Sequence, residues 1–163
     1  MDFSYLFTND FGYLTTKKYV MEDQKNQTDT TPKVTGIGGI FFFTENPKET
    51  REWYAQNLGL DVNDWGSTFE SRNLNNPDAI DSLQWSPFKK DDAYFSPSKK
   101  EFMINYRVQN IEGLVAKLKE NGVTILDDIA AYDYGKFVHI MDTEGNKIEL
   151  WEPKVLFYCP PYP

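Results

Sequence analysis

Gly38-Gly39-Ile40-Phe41-Phe42-Phe43-Thr44-Glu45-Asn46-Pro47 and, 64 residues on, Phe102-Met103-Ile104-Asn105-Tyr106-Arg107-Val108-Gln109-Asn110-Ile111 are the stretches on which the fold turns. In each, an apolar run that reads as a strand leads to an asparagine whose short side chain can accept from the free amides of a helix's first turn. Asn46 is followed by Pro47, suited to the first helical position, and by Glu49 where a capping box places its acid. Asn110 precedes Ile111, Leu114, Val115 and Leu118, an apolar stripe at helical spacing. The same offset of 64 sets Gly39 against Met103, Thr44 against Val108, Asn46 against Asn110 and Asn57 against Asn121, so strand, cap and helix end agree.

Outward from these stretches, the first helix is predicted to run to about residue 57, ended by Leu58-Gly59-Leu60, and Asn121-Gly122 stops the second. Strands are predicted at 67–72 and 82–86 after the first helix, parted by a turn at 75–78 that contains Asn and Pro. Strands at 123–126, 134–141 and 147–151 are predicted after the second, the last two joined by the turn Asp142-Thr143-Glu144-Gly145-Asn146. The expected fold class is α+β: two βαβββ repeats that pair to form a shared concave mixed sheet, since neither buries its sheet face alone. The domain is expected at 34–153, with repeat one at 34–88 and repeat two at 101–153, an N-terminal extension and linker at 1–33, and a tail at 154–163. The aromatic segment from Phe3 to Tyr19 reads either as an arm docked on the domain or a second subunit, or as an unanchored terminus.

At 163 residues, 40% of them hydrophobic and 16% aromatic, one core can form without disulfides or metals. Lys plus Arg number 17 against 25 Asp plus Glu, and the net charge of -8 opposes approach to phosphate backbones and anionic lipid. No nucleic-acid or membrane partner is expected. No stretch approaches the roughly 18 apolar residues of a membrane span. Met1-Asp2-Phe3-Ser4 lacks the basic start of a signal peptide, so a cytoplasmic location is expected. The one cysteine, Cys159, can form no internal disulfide, and no base stands beside it in sequence.

Trp53-Tyr54-Ala55-Gln56-Asn57-Leu58-Gly59-Leu60 resembles the helix-to-strand signature of the vicinal oxygen chelate superfamily, the glyoxalase, bleomycin-resistance and dioxygenase fold. Met141-Asp142-Thr143-Glu144-Gly145-Asn146-Lys147-Ile148-Glu149-Leu150-Trp151 is similar to that family's final hairpin, and the resemblance spans about 34–153. In metal-dependent members it implies ligands from the first strand of each repeat, usually His or Gln, and a Glu on the last strand of each. Here the first-strand positions fall on Gly39 and Met103: one has no side chain, and a thioether suits hard divalent cations poorly. Glu149 matches the final-strand carboxylate, while its mate in the first repeat falls on Leu83 or Trp85, neither a ligand. One carboxylate from a four-ligand set should hold no catalytic metal, so neither metal nor cofactor is expected.

In the last hairpin, Ile140 opposite Ile148 and Val138 opposite Leu150 put four aliphatics on one face, which should pack on helices. The other face carries Phe137, His139 and Met141 beside Lys147, Glu149 and Trp151, with His139 directly across from Glu149. The resemblance implies that this face looks into the cavity. Glu149 and His139 are therefore the candidate catalytic residues, against the plainer readings of a salt-bridged glutamate and a structural histidine. Asn105 and Arg107 alternate with Met103 and should share its face, where Arg107 could meet an anionic group or be satisfied by a carboxylate of the chain. Phe41, Trp85, Tyr134 and Trp151 are further candidate ligand-binding residues, with Phe43, Tyr94, Phe95 and Tyr132 open to the same reading, although aromatics at strand spacing are commonly core. Gly36-Ile37-Gly38-Gly39 opens a strand rather than joining one to a helix, so it is not read as a phosphate loop.

The expected function is a glyoxalase-like protein that binds a small organic molecule between its repeats. Its enzymatic form is a metal-independent lyase or isomerase, with Glu149 as base and His139 or a tyrosine as partner. The alternative is non-catalytic sequestration of a drug or metabolite, as in bleomycin-resistance proteins. A third reading is an interaction module using the aromatic termini. A homodimer is expected from family habit and from those termini.

Overall fold

The computed structural model describes residues 29–154, apart from Asn75 and Asp78, and the backbone of 4–8 and 14–18. β1 (Ser4–Thr8) and β2 (Leu14–Lys18) pair antiparallel as a two-stranded sheet of their own. The linker residues 19–28, the tail from 155 and part of the predicted 75–78 turn lie outside the described residues.

The main sheet is built from β3 (Lys33–Thr44), β4 (Ser67–Arg72), β5 (Ile80–Lys89), β6 (Phe102–Gln109), β7 (Thr124–Ile125), β8 (Ala130–Tyr132), β9 (Gly135–Met141) and β10 (Lys147–Pro153). Helices α1 (Pro47–Leu58) and α2 (Ile111–Glu120) follow β3 and β6, and a short 3-10 turn spans Ala93–Phe95. The order across the sheet is β4-β5-β3-β6-β10-β9-β7, with β8 paired to β9. Parallel pairs β3/β5 and β6/β10 flank the antiparallel pair β3/β6, so the two copies meet first strand to first strand in one mixed sheet.

The repeated caps are present. Asn46 Oδ1 accepts from the Glu49 amide at 3.3 Å, and Asn110 Oδ1 accepts from the Gly113 amide at 3.1 Å. Both helices stop at a glycine in the left-handed region, Gly59 at φ 69° and Gly122 at φ 76°, where a Cβ would be strained.

Three details depart from the sequence reading. Among the described residues the first copy is βαββ: between α1 and β4 there is only an isolated bridge, Asn63 with Gly66, because the Asn-Asp-Trp-Gly segment makes a turn instead of a strand. β8 was not predicted, being too short to show alternation. β3 carries register shifts between Val34 and Gly36 and between Ile37 and Gly39. At Gly38 a Cβ would stand 2.2 Å from Asn105 Oδ1 and 2.8 Å from Trp151 Cε3, so the glycine run admits side chains against the backbone.

Period-two alternation sends the two faces of the sheet to different neighbours. On one face Val108, Val138, Ile140 and Leu150 bury Ile111, Leu114 and Val115 of α2, each contributing about 1.5–3 kcal/mol on full burial. On the other, Phe41, Met103 and Phe95 form a second cluster with Phe43 and Phe88 packed against it. α1 buries no residue fully; Tyr54 rests on Trp85 at 4.7 Å between ring centroids, and Phe42 on Trp85 at 5.3 Å.

Candidate functional site: a buried polar chain beneath an aromatic pocket

The β9–β10 hairpin pairs Ile140 with Ile148, Val138 with Leu150 and His139 with Glu149, the register read from its alternation. With the aliphatics turned to α2, His139 and Glu149 stand side by side on the other face, both buried. His139 Nε2 lies 3.0 Å from Glu149 Oε2.

Asp127, in the loop between β7 and β8, clasps the histidine from behind. Its Oδ1 accepts from the His139 backbone amide at 2.8 Å, and its Oδ2 lies 2.6 Å from His139 Nδ1. Glu149 is held on both oxygens: Oε1 accepts from Asn105 Nδ2 at 2.6 Å, and Oε2 accepts from the Tyr94 hydroxyl as well as facing His139. Tyr94 reaches this point from the 3-10 turn, where its ring stacks on Phe88 at 5.6 Å and meets the His139 ring edge-on at 5.4 Å. The buried Lys147 donates to the Tyr94 carbonyl at 2.7 Å and lies 5.1 Å from the centre of its ring.

Both imidazole nitrogens face carboxylates, and only the doubly protonated ring can donate to both at once. Burial works against that charge, but hydrogen bonds to Glu149 and Asp127 outweigh it and hold the His139 pKa above its ordinary value. Burial also disfavours ionised Glu149, yet donation from His139, Tyr94 and Asn105 prevails and keeps its carboxyl below the usual range. The Tyr94 phenol is pushed far upward, by burial first and then by the Glu149 charge, so it stays a hydrogen-bond donor. Lys147 is lowered by burial, against the pull of Asp127 and Glu149.

Above this chain opens a pocket of ≈ 310 Å³ lined by Tyr94, Asp127, Asp128, Ala130, Tyr132, Tyr134, Phe137, His139 and Glu149. Of the candidates read from sequence, His139, Glu149, Tyr134, Tyr94 and Tyr132 therefore line it. Trp151 stacks behind Phe137 at 6.1 Å, and Asn105 lies beneath Glu149. Arg107 is turned away by an ion pair with Asp81 at 3.1 Å and a bond to the Ser82 carbonyl at 3.0 Å. Phe41 is packed in the aromatic cluster, and Trp85 lies on the α1 face of the sheet. Sequence reading missed Asp127, and it held Tyr94 only as an aromatic open to lining the pocket, not as the hydroxyl that donates to Glu149. For Asp127 the only signal was the acidic pair Asp127-Asp128 just before the aromatic pocket wall.

The donor set does not fit the family's divalent site. Asn105 pairs with Glu149, and its repeat mate Phe41 pairs with Ser86, so the sheet register puts Ser86 opposite in the repeat rather than Leu83 or Trp85. Gly39 offers nothing, Met103 is enclosed by Phe41 and Phe95, and Glu149 already accepts from three side chains. No group of three His, Cys, Asp or Glu side chains among the described residues is arranged to hold a metal ion.

The model of the Glyoxalase/Bleomycin resistance protein/Dioxygenase superfamily matches residues 36–150, which is most of the chain. The chain belongs to that superfamily. Solved structures agree on the fold. A single-residue variant of the Streptomyces coelicolor methylmalonyl-CoA epimerase, in complex with 2-nitronate-propionyl-CoA, is similar at a TM-score of 0.58 and 14% identity, covering 76% of this chain and 100% of that one. The Mycobacterium tuberculosis methylmalonyl-CoA epimerase is similar at 0.51 and 19%, covering 76% and 91%. No curated protein matches the sequence.

Proposed function

We propose that this superfamily member binds a small organic molecule in the ≈ 310 Å³ pocket and transfers a proton on it without a metal, as an isomerase or lyase. The observation that carries the reading is the Asp127–His139–Glu149–Tyr94 chain, which brings a carboxylate, an imidazolium and a phenol to one concave surface. Glu149 Oε1 accepts a single hydrogen bond among the described residues, from Asn105, and so retains a lone pair for a ligand's proton. A carboxylate held below its usual pKa is a weak base, and it suits a C–H already acidified by a neighbouring carbonyl. In isomerisation that C–H bond breaks, the proton goes to Glu149 and the electron pair moves to the carbonyl oxygen. A proton then returns to that same carbon, from the opposite face for an epimer, as the electron pair comes back from the oxygen, so no oxidant or reductant is involved. His139 and Tyr94 are the donors able to stabilise the oxyanion.

Sequestration without chemistry is the second reading, favoured by the double occupation of Glu149 Oε2 and by the aromatic wall. Native mass spectrometry of the purified protein, followed by NMR of any retained compound incubated with it in D2O, tests the two. Deuterium entering the ligand, and lost with Glu149→Gln while binding persists, supports catalysis. Retention without exchange supports sequestration, and absence of any small-molecule binding overturns both.

Cytoplasmic location and a homodimer complete the reading. Helix α1 supports the dimer, because it buries no residue fully and leaves Trp53 and Leu58 exposed. No helix among the described residues is long and apolar enough to cross a membrane.

A further inference from the structure

We propose that the ligand of this pocket is an organic cation, a protonated or quaternary amine on a compact skeleton; this rests on the pocket being the ligand site. Asp127, Asp128 and Glu149 line the hollow against a single basic group, His139, so the lining stays net negative even with the imidazole protonated. The cations nearest in the sheet are withdrawn. Arg107 is held by Asp81 and the Ser82 carbonyl, and Lys147 is buried under Tyr94. Asp128, by contrast, is exposed and makes no hydrogen bond or ion pair among the described residues, so its charge is free for a ligand.

The wall supplies a second, independent attraction. Tyr132 and Tyr134 stack at 5.4 Å with an interplanar angle of 5°, and Phe137 meets them edge-on at 5.8 and 5.5 Å. Both tyrosines are more than half exposed, at 55% and 61%, so they offer ring surface that the described residues leave uncovered. The electron-rich face of such rings attracts ammonium groups within about 6 Å of the centroid. A carboxylate or phosphate ligand would meet the same rings and three carboxylates with no basic side chain left to pair it, which is a mechanism of rejection. On this reading the ligand differs in charge from the coenzyme A compound held by the Streptomyces coelicolor structure.

Three probes of one skeleton test the charge: (2-phenylethyl)trimethylammonium, 2-phenylethanol and 3-phenylpropanoate, titrated into the full chain at low salt and followed by NMR. The cation is expected to bind about tenfold tighter than the alcohol, with the anion weakest. Asp128→Asn should weaken the cation about threefold and flatten its salt dependence while leaving the alcohol unchanged. Tyr134→Leu should weaken the cation about fivefold. Both sites are exposed, and an unchanged thermal midpoint checks that the variants fold. Equal or tighter binding of the alcohol or the anion overturns the inference but leaves the pocket reading intact. Failure of the cation to bind also overturns it, and the pocket reading then stands or falls on the deuterium experiment.

Discussion

His139 carries more physical consequence than any other side chain in the pocket, because its two nitrogens tie a carboxylate of the β7–β8 loop to one on β10. The pair's contribution to stability follows from the directions of its shifts. Glu149 is depressed in the folded chain, so its contribution is present above the unfolded carboxyl value of about 4.3 and is lost as pH falls through the lower folded value. His139 is raised, so its contribution is present below about 6.5 and is lost as pH rises through the higher folded value. The thermal midpoint of the protein, relative to His139→Gln, should therefore be highest between roughly pH 4.5 and 6.5 and should converge with the variant on the alkaline side. A gap that widens from pH 6 to 9 would contradict the charged-pair assignment. At the same scale, Asn105 Nδ2 donates to Glu149 while its Oδ1 is a buried polar atom with no partner among the described residues, packed where Gly38 lacks a Cβ. Gly38→Ala should displace Asn105 and loosen Glu149, seen as a shift of the His139 ring resonances toward an ordinary titration midpoint.

The two helices share a cap and differ in what they cover. Asn110→Ala and Asn46→Ala should each cost about 0.5–2 kcal/mol by urea unfolding, since each cap accepts from a first-turn amide. Ile111→Ala should cost more, about 2–5 kcal/mol, because Ile111 is fully buried at the heart of the α2 cluster. A loss below 1 kcal/mol there would mean that α2 does not pack on the β9–β10 face. The helices, their caps and the strand alternation were legible in sequence because each depends on residues within a few positions. The third strand that the βαβββ repeat implied for the first copy was never placed on particular residues, and the Asn63 to Gly66 segment makes a turn with an isolated bridge there.

For the molecule as a whole, the sheet register predicts indifference to divalent metal. After dialysis against chelator the protein should keep its thermal midpoint and its ligand affinity within error, since Gly39, Met103 and Ser86 offer no divalent site around Glu149. Stoichiometric zinc, nickel or iron that survives dialysis would refute this. Light scattering at micromolar concentration should report twice the mass of one chain, with α1 and its exposed Trp53 as the expected contact. A monomer at that concentration would count against the dimer.

What the sequence determined by itself is the repeat, the capped helices and the face of the last hairpin that carries His139 and Glu149, because periodicity and capping are local and a slip of one residue would bury the wrong face. The chemistry excluded at Gly39 and Met103 was equally plain, since it depends only on residue type. Tertiary structure alone decided which side chains complete the polar chain. Tyr94 meets Glu149 across 55 residues and Asp127 meets His139 across 12, the first from a 3-10 turn with no periodic pattern and the second from a loop. It also turned Trp85 toward α1 and gave Arg107 to Asp81, because the face of a strand and the partner of a long charged side chain are fixed by neighbours distant in sequence.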